Sequence, residues 1–109
     1  MKKWSITYYS EKVFQSIQKL PKLLKARYIA LTDKMEDVGP NLGMPHTKAM
    51  GDGLFEIRIK AGTNIARIFY CIQVKKEIVV LHSFIKKTQK TPPKELKTAM
   101  TRLREVINE

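Results

Sequence analysis

Eight basic side chains fall between Gly53 and Pro92: Arg58, Lys60, Arg67, Lys75, Lys76, Lys86, Lys87 and Lys90. Arg58, Lys60 and Arg67 lie inside hydrophobic stretches, LFEIRIK and IARIFYCIQV, that read as strands. Cations on strands are held in place, and fixed cations suit the handling of phosphate. RNA carries its own nucleophile, the 2′-hydroxyl. A protein that cleaves it has to align that oxygen with the adjacent phosphate, move two protons and stabilise the pentacovalent charge. Arginine, lysine and one histidine suffice for that chemistry. Clustered cations lower one another's proton affinity, so a lysine among arginines can trade protons near neutral pH. Other basic surfaces draw on the same residues.

Strand parity sorts these cations. In Leu54–Lys60 the side chains of Phe55, Ile57 and Ile59 leave on one face, and those of Glu56, Arg58 and Lys60 on the other. The turn Ala61–Asn64 brings Arg67 beside them, in a register the sequence leaves open. An arginine between Ile65–Ala66 and Ile68–Phe69 is costly unless it reaches solvent or a partner. It either pairs with Glu56 in a buried ion pair or faces an anion. His82 shares a strand face with Val80 and Phe84, which suits a core histidine, yet it lies just before the basic loop Lys86-Lys87-Thr88-Gln89-Lys90. His46 stands beside Lys48 in a Gly/Pro-rich loop and is equally ambiguous. Two histidines without a cysteine or paired-carboxylate partner predict no metal site, and no cofactor is expected. The chain has neither a phosphate-binding glycine loop nor a nucleophile elbow.

The charge balance points the same way. Lys and Arg total 21 against 10 Asp and Glu, a formal net charge of +11. Such an excess favours a polyanionic partner: nucleic acid, an acidic protein or an anionic membrane surface. With 109 residues and 43% hydrophobic content, the chain is expected to form one domain, 1–109, with a modest core. Cys71, the single cysteine, lies in an apolar run and reads as a buried small hydrophobe. The N-terminal MKKWSITYYSEKVF lacks the apolar run of an export signal, and no apolar stretch approaches the ~18–20 residues of a membrane span. Cytoplasmic residence is the expectation.

The elements that must position these residues follow from periodicity. Trp4–Tyr9 alternates as a first strand. Ser10 is placed to cap a helix with apolar positions Val13, Phe14, Ile17 and Leu20. Pro21 opens a second helix whose stripe is Leu24, Tyr28, Leu31, Met35 and Val38, ended by Gly39-Pro40. Asn41–Gly53, with three Gly and one Pro, reads as a loop. Strands Leu54–Lys60, Ile65–Val74 and Ile78–Phe84 follow, the last two joined at Lys75-Lys76-Glu77 as a hairpin at the sheet centre. Lys86, Lys87 and Lys90 fall in the exit loop. Thr91 then caps a last helix with stripe Leu96, Met100, Leu103 and Ile107. The order β-α-α-β-β-β-α predicts an α+β domain, a mostly antiparallel twisted sheet with the helices packed on one side.

The strings GLFEIRIKAG, ARIFYC and IVVLHSFIKKTQKTP, followed by a helix ending TRLREVINE, closely resemble the phage-derived, HigB-like branch of the RelE/ParE toxin superfamily. That resemblance implies a RelE-like fold and the toxin of a type II toxin–antitoxin system. It implies a ribosome-dependent endoribonuclease that cuts mRNA in the A site and is held inactive by an antitoxin, expected to be a helix-turn-helix protein. By matching positions, Arg67 takes the place of the arginine that stabilises the transition state. Arg58 takes the place of a strand lysine, and Lys60 that of a basic residue two further on. Lys87 falls where a second catalytic arginine stands, with Lys86 beside it. The tyrosine those toxins present near the last helix has no counterpart, because Pro93 lies there, and His82 and Gln89 are the candidates for its place. Lys86, Lys90, Gln89 and Lys48 complete the expected RNA contacts. A ParE-like gyrase poison without nuclease activity shares this fold, and a non-catalytic basic nucleic-acid-binding domain is a third reading.

Overall fold

Ser10 caps the first helix as expected, its hydroxyl accepting from the Val13 amide at 3.2 Å. The computed structural model describes residues 2–87 and 90–108. Its elements are β1 (Ser5–Tyr8), α1 (Glu11–Gln18), α2 (Lys22–Val38), β2 (Thr47–Gly51), β3 (Leu54–Ala61), β4 (Asn64–Gln73), β5 (Glu77–Lys86) and α3 (Pro93–Ile107). The sheet order is β1-β5-β4-β3-β2. β1 runs parallel to β5, and the other three pairings are antiparallel. The fold is α+β, as the element order predicts. No helix is long and apolar enough to cross a membrane among the described residues.

Three boundaries differ from the sequence reading. The stretch Asn41–Gly53 is not all loop, because β2 pairs along β3 with Thr47 opposite Ile57 and Lys48 opposite Glu56. TKAMG has no apolar alternation of its own, and the free edge of β3 makes it a strand. Thr47 anchors it from below, donating to the Asn41 side chain at 2.9 Å and accepting from the Gly43 amide at 2.8 Å. β5 also continues past Phe84, so Ile85 and Lys86 are strand residues opposite Ala66 and Ile65. Pro92, not Thr91, occupies the N-cap position of α3, with no side-chain cap; Pro93 needs no amide hydrogen bond in the first turn.

Strand alternation divides the interior in two. Ile57, Ile59, Ala66, Ile68, Tyr70, Ile78 and Val80 pack with Val13, Ile17, Leu24, Tyr28 and Met35, so α1 and α2 lie together on one side of the sheet. The alternate residues Leu54, Phe69, Cys71, Val79 and Leu81 pack with Ala99, Leu103 and Val106 of α3. The expected gathering of helices is met by the α1–α2 pair, while α3 covers part of the other set. Val38 and Ile107, the ends of their predicted stripes, are 66% and 58% exposed. His82 does not share the face of Val80 that plain alternation predicts: a bulge between Phe69 and Tyr70, opposite Leu81, shifts the alternation and turns His82, Phe84 and Lys86 to the α3 side.

Candidate functional site

Three cross-strand rows lie on the α3 side of the sheet. Lys60, Ile65 and Lys86 form one; Arg58, Arg67 and Phe84 the next; Lys48, Glu56, Phe69 and His82 the third. Neighbouring rows are two residues apart along each strand, or about 7 Å. Packing by α3 fills the far part of this face, around Leu81, Cys71 and Leu54, reaches Phe84 of the second row, and leaves the side toward Lys86 open. Here a groove of ≈ 680 Å³ is lined by Arg58, Thr63, Asn64, Ile65, Arg67, Ile85, Lys86 and Lys87. A smaller cavity of ≈ 190 Å³ shares Arg58, Ile65 and Arg67 and adds Met44, Pro45 and Lys60.

The register answers what parity alone left open: Arg58 sits directly opposite Arg67. Like charges in that position repel. Glu56, 3% exposed, lies beside both, its Oε1 3.7 Å from Arg67 Nε and 4.0 Å from Arg58 Nε. These are ion pairs beyond hydrogen-bond length, so they consume no guanidinium donor. Arg67 is 7% exposed and donates Nη1 to the Ala66 carbonyl at 3.3 Å; Arg58 Nη1 touches the Met44 sulfur at 3.7 Å. Each arginine therefore keeps most of its five donors uncommitted. Both possibilities for Arg67 hold together: it has the Glu56 partner and it faces the groove.

The electrostatics agree with this crowding. Burial pushes the Arg67 pKa down, Glu56 pulls it back up, and Arg58 lowers it further. Lys86 is also held below the ordinary lysine value, through partial desolvation and then the repulsion of Arg67, with Arg58 and Lys48 adding to it and Glu56 opposing. Arg58, Arg67, Lys86 and Lys48 thus act as one field around a single buried carboxylate.

The structure separates the sequence candidates. Arg58, Arg67, Lys86 and Lys87 line the groove, Lys60 borders the adjoining cavity, and Lys48 stands across β2 from Glu56. Lys75 and Lys76 turn the hairpin at the opposite end of β4 and β5, both with positive φ. Lys90 is exposed in the segment before α3, and Gln89 lies outside the described residues. His82 is on the right face but turned to α3. Its Nε2 meets Glu95 Oε1 at 2.6 Å, and Arg102 Nη1 reaches its Nδ1 at 3.4 Å and the Leu81 carbonyl at 2.7 Å. Both ring nitrogens hold the helix, and the ring does not line the groove. His46 is exposed, its carbonyl accepting from the Arg58 amide at 2.8 Å. Thr63 and Asn64 of the β3–β4 turn were not singled out by sequence; their place three or four residues before Arg67 was the available signal.

No curated protein matches the sequence. One chain of the crystal structure of the archaeal RelE–RelB complex from Pyrococcus horikoshii OT3 is a loose likeness, with TM-score 0.49 and 20% identity over 82% of this chain and 99% of that one. A family described as Phage derived protein Gp49-like (DUF891) matches residues 15–104. That span runs from α1 into α3 and takes in every residue that lines the groove, and this chain belongs to the Gp49-like family of phage-derived proteins.

Proposed function

We propose that this protein, with 1–109 acting as one domain, is the toxin of a type II toxin–antitoxin system and cleaves mRNA on the ribosome by 2′-hydroxyl attack. The observation that carries the reading is the Arg58–Arg67 cross-strand pair, donors largely uncommitted, opening into a groove shared with Lys86 and Lys87. A like-charge pair on the sheet floor weakens the fold and suits a phosphate that spans both guanidinium groups. In the proposed reaction the 2′-oxygen bonds to phosphorus as the P–O5′ bond breaks, leaving a 2′,3′-cyclic phosphate and a 5′-hydroxyl. Arg67 stabilises the charge of the pentacovalent state, while Arg58 and Lys87 hold the non-bridging oxygens. Lys86, whose proton is loosened by its neighbours, accepts the 2′ proton in its neutral form, and solvent water protonates the departing 5′ oxygen. Lys60, Lys48 and Lys90 contact flanking phosphates, and Gln89 is placed with them by resemblance alone. His82 serves here by fixing α3.

An antitoxin encoded beside the toxin would neutralise it, and the net charge of +11 suits an acidic segment of such a partner. The ribosome, as the site of action, places the protein in the cytoplasm. Induced expression with sequencing of RNA 5′ ends tests the reading. Wild type should arrest growth with mRNA cut in codon register, and folded Arg67→Ala should cut about 10²–10³-fold more slowly, the range for loss of a donor to developing charge. Growth arrest with DNA-damage signalling and intact mRNA would assign a gyrase poison instead. Harmless overexpression would leave a non-catalytic binding domain.

A further inference from the structure

The buried carboxylate beneath the arginines is the one charged group of the floor that the cleavage chemistry does not use. We infer that Glu56 is a positioning residue: it holds the Nε edges of Arg58 and Arg67 together so that their terminal N–H groups face the phosphate. The inference rests on the endoribonuclease reading of the groove. Glu56 is 3% exposed, and it sits in the row next to Arg58 and Arg67, opposite Lys48 on one side and Phe69 on the other. Its Oε1 approaches both Nε atoms, at 3.7 and 4.0 Å, and neither terminal nitrogen of either arginine is bonded to it. A carboxylate meeting a guanidinium end-on through both terminal nitrogens would block bidentate contact with phosphate. Held at Nε, each fork keeps its free edge.

Glu56 also makes the cluster tolerable. Arg58, Arg67, Lys86 and Lys48 crowd one end of the sheet, and the central negative charge offsets part of their repulsion. Removing that charge strengthens the pull on any polyanion while freeing the guanidinium groups to swing apart. Ground-state attraction depends on net charge, whereas transition-state stabilisation depends on donors fixed where charge develops. The two therefore move in opposite directions.

The test measures single-turnover cleavage of mRNA on programmed ribosomes, with the rate at saturation and the half-saturating concentration read separately. Glu56→Gln keeps the shape and removes the charge. Its saturated rate should fall about 10²-fold, the cost of a small misplacement of catalytic groups, while half-saturation stays equal or moves lower. Glu56→Asp keeps the charge on a shorter arm and should recover part of the rate. Wild type that does not cleave overturns the endoribonuclease reading itself. Active wild type with a folded Glu56→Gln that cleaves equally fast overturns the role of Glu56 alone. Weaker half-saturation with a proportionate loss of rate, or failure of both variants to fold, reduces Glu56 to a structural ion pair and also overturns it.

Discussion

Lys86 is the residue whose protonation separates binding from stability. Partial desolvation and the cations around it lower its folded-state pKa below 10.5, so its proton leaves earlier in the folded protein than in the unfolded chain. Between those two pH values the unfolded chain holds more protons, and folding stability contributed by this group rises with pH. Affinity for a phosphodiester falls across the same window, because a groove cation is lost. Titrating the binding of a 2′-deoxy-substituted RNA oligonucleotide against pH should show that fall below the ordinary lysine range, and Lys86→Arg should abolish it. A wild-type curve flat through the window would remove Lys86 from the groove's field. Cys71 is the contrasting case. Burial pushes its thiol up to about 11, and it packs under α3. Native protein should resist a thiol-specific reagent at neutral pH and react only on unfolding.

At the scale of elements, α3 decides how much of the cation face stays open. Polar contacts tie it down: His82 to Glu95 and Arg102, Arg102 to the Leu81 carbonyl, Gln73 to the Val106 carbonyl at 2.9 Å, and Tyr9 to Glu105 at 2.6 Å. The Arg102 guanidinium also lies 5.0 Å from the centre of the Tyr9 ring. Beneath them Ala99, Leu103 and Val106 supply the apolar contact. Leu103→Ala should cost about 2–5 kcal/mol by denaturant unfolding, the range for deleting a fully buried leucine side chain. Glu95→Ala removes one tether at the first turn, and hydrogen exchange should quicken there while β4 keeps its protection. Equal loss of protection throughout the sheet would mean that the first turn of α3 does not open separately. α3 and β2 bound the face from opposite sides, and only the register of β2 on β3 reveals that Lys48 belongs beside Glu56.

For the whole molecule, the excess of basic residues acts at long range and the groove at short range. The formal net charge of +11 steers polyanions to the protein but has no address. The groove adds four lining cations, Arg58, Arg67, Lys86 and Lys87, on one patch. If these are the phosphate contacts, single-stranded RNA affinity should fall with salt at a log–log slope of about −3. Charge reversal at Lys75 or Lys76, at the far end of the hairpin, should leave that slope nearly unchanged. A slope equally sensitive to both ends would show diffuse attraction without a site.

The sequence by itself determined the helices, the three long strands, the α+β class and the identity of the cations. These are written in local periodicity: alternation in LFEIRIK, the four- and three-residue spacing from Leu24 to Met35, and Ser10 before α1. It named Arg58, Lys60 and Arg67 because parity is local as well. It missed β2, whose strand conformation comes from a partner edge and has no pattern of its own, and it placed Lys86 in a loop because pairing with Ile65 extends β5 beyond its apolar run. Only tertiary structure decided that Arg58 faces Arg67, that Glu56 lies beside both, and that His82 is held by α3. Apart from Glu56–Arg58, two residues apart on one strand, those contacts join residues from 9 to 20 apart in the chain, and register and packing set such distances where sequence spacing does not.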